Sequence, residues 1–294
     1  MRITHNMLSD TTLRNLNKNM ERLDRLQDEL TSGQRIGAPS DDPIGAAAAV
    51  QFRGTLDEID QFIRNADAAD SWLGATDSAF DAVTSTLQRA RELAVQGGND
   101  TLSPSDKQKA AYEVSQLLDQ AIALGNSTYA GQFLFAGYKV STAPFSPVGS
   151  PPTSVTYNGD AGQISRQIDN QSTVIVNTPG STAFPQIFSA LIGLRDDLNI
   201  GNSSAISARI TDLDNAIDSV VAARSQIGAR MNRLDSQKDR LESLKVNITQ
   251  MLSKTQDVDM TEAITEFAMQ QDIYKAALAA GSKAIQPSLL DYLR

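Results

Sequence analysis

The side chains that could do chemistry in this sequence are few and lie far apart. His5 is the only histidine and the chain has no cysteine, so a nucleophile activated by a neighbouring base would depend on one residue near the chain end. Asp41 and Asp42 form one acidic cluster, and Asp257 and Asp259 form another. Each cluster has fewer ligands than a calcium loop and a simpler role as a helix cap. We therefore expect no catalytic residue, no metal and no cofactor.

Composition disfavours further classes of function. The 294 residues carry 26 basic and 35 acidic side chains, and the net charge of -9 disfavours contact with nucleic acid. No window reaches the roughly 20 apolar residues of a membrane span. The first ten residues, MRITHNMLSD, lack the apolar core of a secretory signal. We expect neither nucleic-acid binding nor membrane insertion, and we expect export without a cleaved Sec signal.

A loop rich in glycine and proline, SGQRIGAPSDDPIG, separates two helical patterns at residues 32–45. Its glycines favour the end of the first helix. Asp42 followed by Pro43 is a typical start for the second, because aspartate accepts from first-turn N–H groups and proline needs no hydrogen bond there. Arg35 is left for a contact, either with Asp41 or Asp42 or with another subunit. We interpret the loop as a joint between helices rather than an active site.

Both ends of the chain carry apolar residues at steps of three and four, the period of a coiled coil. Such stripes need a partner helix, and periodicity alone does not separate an intramolecular bundle from contact between subunits. We predict subunit contacts through these side chains and three residues of the joint: Leu13, Leu16, Met20, Leu23, Leu30, Arg35, Asp41, Asp42, Ile264, Phe267, Tyr274, Leu278, Ile285, Leu289, Leu290 and Leu293.

Two long inner helices are predicted between these ends. The first repeats an apolar residue every seven positions, at Leu73, Phe80, Leu87 and Ala94. The second, across residues 210–241, alternates steps of three and four but places Arg224 and Lys238 on its apolar stripe. These two bases either fix the register with a partner helix or lie where no partner covers them.

The middle of the chain changes character. Prolines interrupt residues 144–152, and three short runs rich in β-branched residues predict strands at 153–157, 163–168 and 172–177. Asn158-Gly159 lies between the first two runs and predicts a hairpin turn, because both residues tolerate positive φ.

These elements predict a mainly α fold. We expect an elongated hairpin or bundle of N- and C-terminal helices with a small β-rich insertion domain at its distal end. The predicted divisions are a terminal coiled-coil layer (1–44 and 255–294), a helical core (45–138 and 188–254) and a β-rich outer insertion (139–187).

Several separated motifs resemble the segments shared by bacterial flagellins and hook-associated proteins, and they occur in the same order. They are LTSGQRIGAPSDDP at residues 30–43, ELAVQGGNDTLSPSDKQ at 92–108, and a C-terminal run at 227–293 that includes DMTEAITEFAMQQDIYKAALAAGSKAIQ. The MRIT start, QFLFAGYKVSTAPF at 132–145 and the ending SLLDYL look most like hook-associated members of the family.

The resemblance implies a flagellin-like fold and a structural, axial role in the extracellular bacterial flagellum. Terminal helices would form an inner tubular layer, inner helices a second layer, and the insertion would face outward. It implies export through the flagellar type III channel, guarded by a chaperone that binds the C-terminal part. It further implies assembly with itself as a ring of about one helical turn, an adaptor at the hook–filament junction between the other hook-associated junction protein and flagellin.

Two alternatives stay open at this point. The chain could be flagellin itself, the filament subunit. It could also be an enzyme whose activity lies in the β insertion, although that segment shows no convergent acids, histidines or glycine loop.

Overall fold

The computed structural model describes residues 5–99 and 102–285, which form six helices and six short strands. The helices are α1 (His5–Ser32), α2 (Pro43–Gly97), α3 (Pro104–Gly125), α4 (Phe184–Ile200), α5 (Ser203–Gln256) and α6 (Met260–Ile285). Between α3 and α4 lie β1 (Thr128–Tyr129), β2 (Gln132–Phe133), β3 (Phe145–Val148), β4 (Ser154–Tyr157), β5 (Ser165–Asp169) and β6 (Ser172–Ile175). The predicted mainly α fold, with long terminal helices and a small β region, is confirmed.

The helix boundaries follow local capping chemistry. Gly33 has φ +70°, a left-handed conformation that ends α1. Asp42 Oδ1 accepts from the Gly45 N–H at 2.9 Å, directly before the first residue of α2. Asp259 Oδ1 accepts from the Thr261 N–H at 2.9 Å and caps α6 in the same way. The cap roles predicted for the two acidic clusters are confirmed for Asp42 and Asp259.

The strands form three antiparallel pairs, β1 with β2, β3 with β4 and β5 with β6. The hairpin predicted at Asn158-Gly159 is therefore wrong, because β4 and β5 do not pair. Neither residue has a positive φ. Instead, Asn158 N–H donates to the Pro144 carbonyl and Asp160 N–H donates to the Ala136 carbonyl, so this loop folds back on an earlier segment.

Contacts divide the chain into two units. The terminal unit comprises residues 1–58 and 244–294, and the central unit comprises residues 59–243. The three-layer division at residues 44, 139, 187 and 255 stays a prediction.

The core of the central unit forms along α2 and α5. The seven-residue repeat of α2 is fully buried from Leu73 to Ala94. Phe80, Phe135 and Phe184 pack together, with ring centroids 4.8–5.8 Å apart. Full burial of a large apolar side chain contributes about 1.5–3 kcal/mol, so this cluster can hold the unit together.

The two bases on the stripe of α5 fix its register against α2. Arg224 pairs with Asp77 at 2.9 Å and with Asp81 at 2.7 Å, and Lys238 pairs with Asp67 at 2.7 Å. Of the two roles that the sequence left open for these bases, the structure therefore shows pairing with a partner helix.

No helix of the described residues is long and apolar enough to cross a membrane.

Candidate subunit interface

Helices α1 and α6 pack against each other in the terminal unit, and we call them the terminal pair. Gln270 Nε2 lies 3.4 Å from the carbonyl oxygen of Asn19, and the Tyr274 hydroxyl lies 3.7 Å from Met20 Sδ. Thr12 lies next to Gly281, where an added Cβ would come within 2.9 Å of its methyl group. Residue numbers rise along α1 as they fall along α6, so the pair is antiparallel.

The seam of the terminal pair is more polar than the apolar stripes in the sequence. On α1, the half-buried positions recur at steps of three and four: Ser9, Thr12, Leu16, Asn19, Leu23, Leu26 and Leu30. On α6, the matching positions are Ala263, Phe267, Gln270, Tyr274, Ala277 and Gly281. Small and polar residues thus occupy places that the predicted apolar stripes would fill, because each helix is rotated so that part of its stripe is left outside.

The predicted contact residues divide accordingly. Leu16, Leu23, Leu30, Phe267 and Tyr274 are half-buried in the seam. Four others are largely exposed: Leu13 at 51%, Met20 at 51%, Ile264 at 56% and Leu278 at 44%. Ile285 ends α6, but its side chain lies outside the described part of the chain, as do Leu289, Leu290 and Leu293. Subunit contact through all of these residues stays a prediction.

The segment that follows α1, residues 33–42, is the joint, and its main chain pairs with the segment between α5 and α6. Gln34 forms a β-bridge with Asp257. Arg35 N–H donates to the Gln256 carbonyl at 2.7 Å, and Val258 N–H donates to the Gly33 carbonyl at 3.1 Å. Backbone hydrogen bonds therefore connect the joint between α1 and α2 to the segment between α5 and α6.

The three predicted contact residues of the joint already have partners within the chain. Arg35 Nη2 donates to the Thr255 carbonyl at 2.9 Å and lies 3.9 Å from Asp42 Oδ2. Asp41 Oδ2 accepts from the Ala38 N–H at 2.8 Å. Asp42 caps α2. These residues order the joint, and their predicted contact with another subunit stays a prediction.

Sequence reasoning missed the buried centre of this joint. Ile36 and Gln256 are each only 4% exposed. Arg53 Nη2 donates to Gln256 Oε1 at 2.6 Å, so the buried amide oxygen has a partner. The acidic cluster at Asp257 and Asp259 indicated a helix boundary in the sequence, but no sequence signal indicated that Gln256, the residue before it, would be buried.

An open cavity of about 450 Å³ borders the joint. Its lining includes two arginines, Arg25 and Arg35, and four acids of α1: Glu21, Asp24, Asp28 and Glu29. Burial raises the pKa of Glu29, and nearby Glu266 acts in the same direction, although Arg25 opposes both. Among the described residues, no group of three histidine, cysteine or acidic side chains is placed to hold a metal ion.

The region of β3 to β6 carries two notable carboxylates. Backbone N–H groups of Tyr138 and Gly162 lower the pKa of Asp160, and the N–H of Asn170 lowers that of Asp169. A carboxylate that acts as a general base near neutral pH needs a raised pKa instead. The hydrogen bonds of both acids therefore have the character of structural contacts.

Comparison with known proteins identifies the family. The model of the bacterial flagellin N-terminal helical region matches residues 3–140, and that of the bacterial flagellin C-terminal helical region matches residues 210–293. Together they cover most of the chain. The chain belongs to the flagellin family. It is therefore a structural protein of the bacterial flagellum.

Similar proteins include both hook-associated proteins and flagellins. Flagellar hook-associated protein 3 of Escherichia coli K12 is 27% identical over 308 residues, covering 95% of this chain and 96% of the relative. Flagellin of Bacillus subtilis 168 is 29% identical over 303 residues, covering 97% of each. The solved structure of the flagellar junction protein from Legionella pneumophila shares the fold, with a TM-score of 0.60, 17% identity and coverage of 73% of this chain and 100% of that one.

Proposed function

We propose that this chain is an adaptor at the hook–filament junction. It is exported through the flagellar type III channel without a cleaved signal, with a chaperone on its C-terminal part. It then assembles as a ring of about one helical turn, bound to the other hook-associated junction protein on one side and to flagellin on the other.

The apolar surface of the terminal unit carries this proposal. Among the described residues, 13 of the 20 large apolar side chains that are exposed belong to this smaller unit. They are Met7, Leu13, Met20, Ile44, Val50, Leu244, Val246, Met251, Met260, Ile264, Met269, Ile273 and Leu278. A concentration of exposed apolar side chains in one unit favours protein–protein contact there. Its burial contributes about 25 cal/mol per Å², which can drive assembly.

The decisive experiment is deletion of the gene followed by electron microscopy. A junction adaptor predicts hooks without filaments, with flagellin released into the medium. Complementation with the wild-type chain should restore filaments. Filaments of normal length and number on the deletion strain would refute the adaptor role.

Flagellin is the second candidate, because the Bacillus subtilis flagellin matches nearly the whole chain. The two roles predict different behaviour of the purified protein. A filament subunit grows long filaments by itself when seeded, whereas an adaptor does not. The MRIT, QFLFAGYKVSTAPF and SLLDYL segments favour the adaptor.

A further inference from the structure

The exposed sulfur atoms of the described chain lie in the terminal unit. The sequence has seven methionines and no cysteine. Five of the methionines are exposed, and all five belong to this unit: Met7 at 60%, Met20 at 51%, Met251 at 50%, Met260 at 46% and Met269 at 58%. Because no thiol competes, these thioethers are the side chains that a peroxide oxidises most readily.

Met20 differs from the other four because its sulfur accepts a hydrogen bond. The Tyr274 hydroxyl of α6 donates to Met20 Sδ of α1 across 3.7 Å. In the part of the chain that the structure describes, none of the other four sulfur atoms has such a donor, and this hydroxyl has no second partner. A thioether sulfur is a weak acceptor, so the phenol is only weakly paired.

This contact lies in a weakly bonded part of the seam. One turn away, Gln270 Nε2 lies 3.4 Å from both the carbonyl oxygen and the side-chain oxygen of Asn19. The two helices therefore meet at this level through hydrogen bonds that are long or made to sulfur. A stronger acceptor at residue 20 would add to their pairing.

Oxidation converts the weak acceptor into a strong one. A sulfur lone pair of the half-exposed Met20 attacks one oxygen of hydrogen peroxide, so that an S–O bond forms and the O–O bond breaks. The departing hydroxide takes the proton of the transferred oxygen and leaves as water. Sulfur loses two electrons and the peroxide gains them. The product is methionine sulfoxide, a polar side chain with an acceptor oxygen.

The distance between the two groups suits this product. One S–O bond followed by a bent O–H···O hydrogen bond spans about the 3.7 Å that separates Met20 Sδ from the Tyr274 hydroxyl oxygen. The methionine side chain has three rotatable bonds, so it can turn the new oxygen toward the hydroxyl without a shift of either helix.

We propose that Met20 is a sulfoxidation site, and that its sulfoxide oxygen accepts from the Tyr274 hydroxyl and strengthens the pairing of α1 with α6. The other exposed methionines have no such donor, so their oxidation only makes the surface more polar. The terminal pair of the free subunit thus responds to oxidants through one residue. This inference goes beyond the proposed function and does not rest on it.

Two matched variants isolate the site. Met7→Leu/Met251→Leu/Met260→Leu/Met269→Leu keeps Met20, and Met7→Leu/Met20→Leu/Met251→Leu/Met260→Leu keeps the similarly exposed Met269. Leucine replaces methionine at little cost in packing and has no sulfur to oxidise. Each purified full-length chain is treated with hydrogen peroxide, and mass spectrometry locates the sulfoxide. Hydrogen exchange of the α1 and α6 amides is then compared before and after treatment.

We expect oxidation of Met20 to raise the protection of these amides about two- to tenfold, the effect of one added hydrogen bond. Oxidation of Met269 should give no gain. Tyr274→Phe in the variant that keeps Met20 should abolish the gain, and methionine sulfoxide reductases should reverse it. Unchanged or lower protection after oxidation of Met20 would overturn the proposal. So would a gain that persists in Tyr274→Phe, or an absence of sulfoxide at Met20 under conditions that oxidise Met269.

A second set of variants tests the hydrogen bond without an oxidant. Met20→Gln supplies a neutral acceptor oxygen on a side chain of similar length, whereas Met20→Leu supplies none. The difference in amide protection between these two variants should be larger with Tyr274 than in the Tyr274→Phe background. Equal differences in the two backgrounds would contradict the assigned contact. Circular dichroism checks that each variant keeps its helices.

Discussion

Gly45 illustrates how a single position can set the packing of the joint. A Cβ on Gly45 would lie 2.5 Å from Ile36 Cδ1 and 2.6 Å from Asp42 Oδ2. Both distances are shorter than any normal contact, and the atoms belong to a buried side chain and to the cap of α2. The glycine therefore allows the joint to lie close against the first turn of α2.

Gly45→Ala should destabilise the terminal unit by about 1–3 kcal/mol, because overpacking forces Ile36 or Asp42 to move. Gly54→Ala in the same helix is the matched control, since nothing lies within 4 Å of its added methyl group. We expect the control to stabilise α2 by up to about 1 kcal/mol, as alanine is the better helix former. Hydrogen exchange of the Arg35 and Val258 amides measures both effects. Equal protection in the two variants would contradict the packing argument.

Asp160 links the stability of the central unit to pH. Its Oδ1 accepts from the Tyr138 N–H at 2.7 Å and the Gly162 N–H at 2.8 Å, and these bonds lower its pKa. A pKa lowered by folding gives stability that is complete above the unfolded value, about 3.9, and is lost as pH falls through the folded value.

Asp160→Asn should therefore be less stable than the wild type at pH 7, and the difference should shrink as the pH is lowered below about 4. Urea unfolding followed by the fluorescence of Trp72, the single tryptophan, measures this. Asp119→Asn, at an exposed site in α3, is the matched control and should follow the wild type. A difference between Asp160→Asn and the wild type that is independent of pH would contradict the carboxylate's role.

At the scale of elements, periodicity predicted which helices form but not how they face each other. The cap residues Asp42 and Asp259 locate the starts of α2 and α6 because capping is local chemistry. The rotation of α1 about its axis is set by all its neighbours, so the stripe through Leu13 and Met20 could not show which half faces α6. The hairpin predicted at Asn158 failed for the same reason: contacts with distant residues outweighed a local turn preference.

Arg224 joins α5 to α2, and the Asp77 hydrogen bond raises its pKa. Arg224→Met should lower the free energy of unfolding by about 1 kcal/mol, since both ion pairs are partly exposed and such pairs contribute little individually. The loss should be smaller at high salt, where the wild-type pairs are screened.

Arg224→Lys should give an intermediate loss, because lysine keeps the charge but not the forked geometry. Arg166→Met provides the control for removing an exposed arginine. Denaturant unfolding at low and high salt is the measurement. A loss for Arg224→Met that does not change with salt would indicate packing rather than ion pairing.

For the whole molecule, the sequence predicted the fold class and the family, whereas the candidate interface depends on how the helices pack in three dimensions. Motifs such as LTSGQRIGAPSDDP are specific because their order and spacing recur together. The exposed apolar residues of the terminal pair depend on the antiparallel arrangement and on which residues α1 covers. Neither of these follows from the spacing of Ile264, Met269 and Ile273 alone.

Removal of residues 255–294 should leave a folded central unit, because its core lies between residues 66 and 234. The truncated chain should not form a junction, since α6, one of the two helices of the terminal pair, is missing. Thermal unfolding tests the first expectation, and complementation of the deletion strain tests the second. Normal filaments on cells with the truncated chain would refute the role assigned to the terminal pair.

The ion pairs between α2 and α5 also have a mechanical consequence. These ion pairs are spaced along both helices: Arg91 with Asp214, Arg224 with Asp77 and Asp81, and Lys238 with Asp67. A force along the helix axes loads all of these ion pairs at once, whereas a force that separates the helices from one end loads them one after another. In a rotating flagellum, this arrangement would make the central unit stiff against sliding and weaker against peeling.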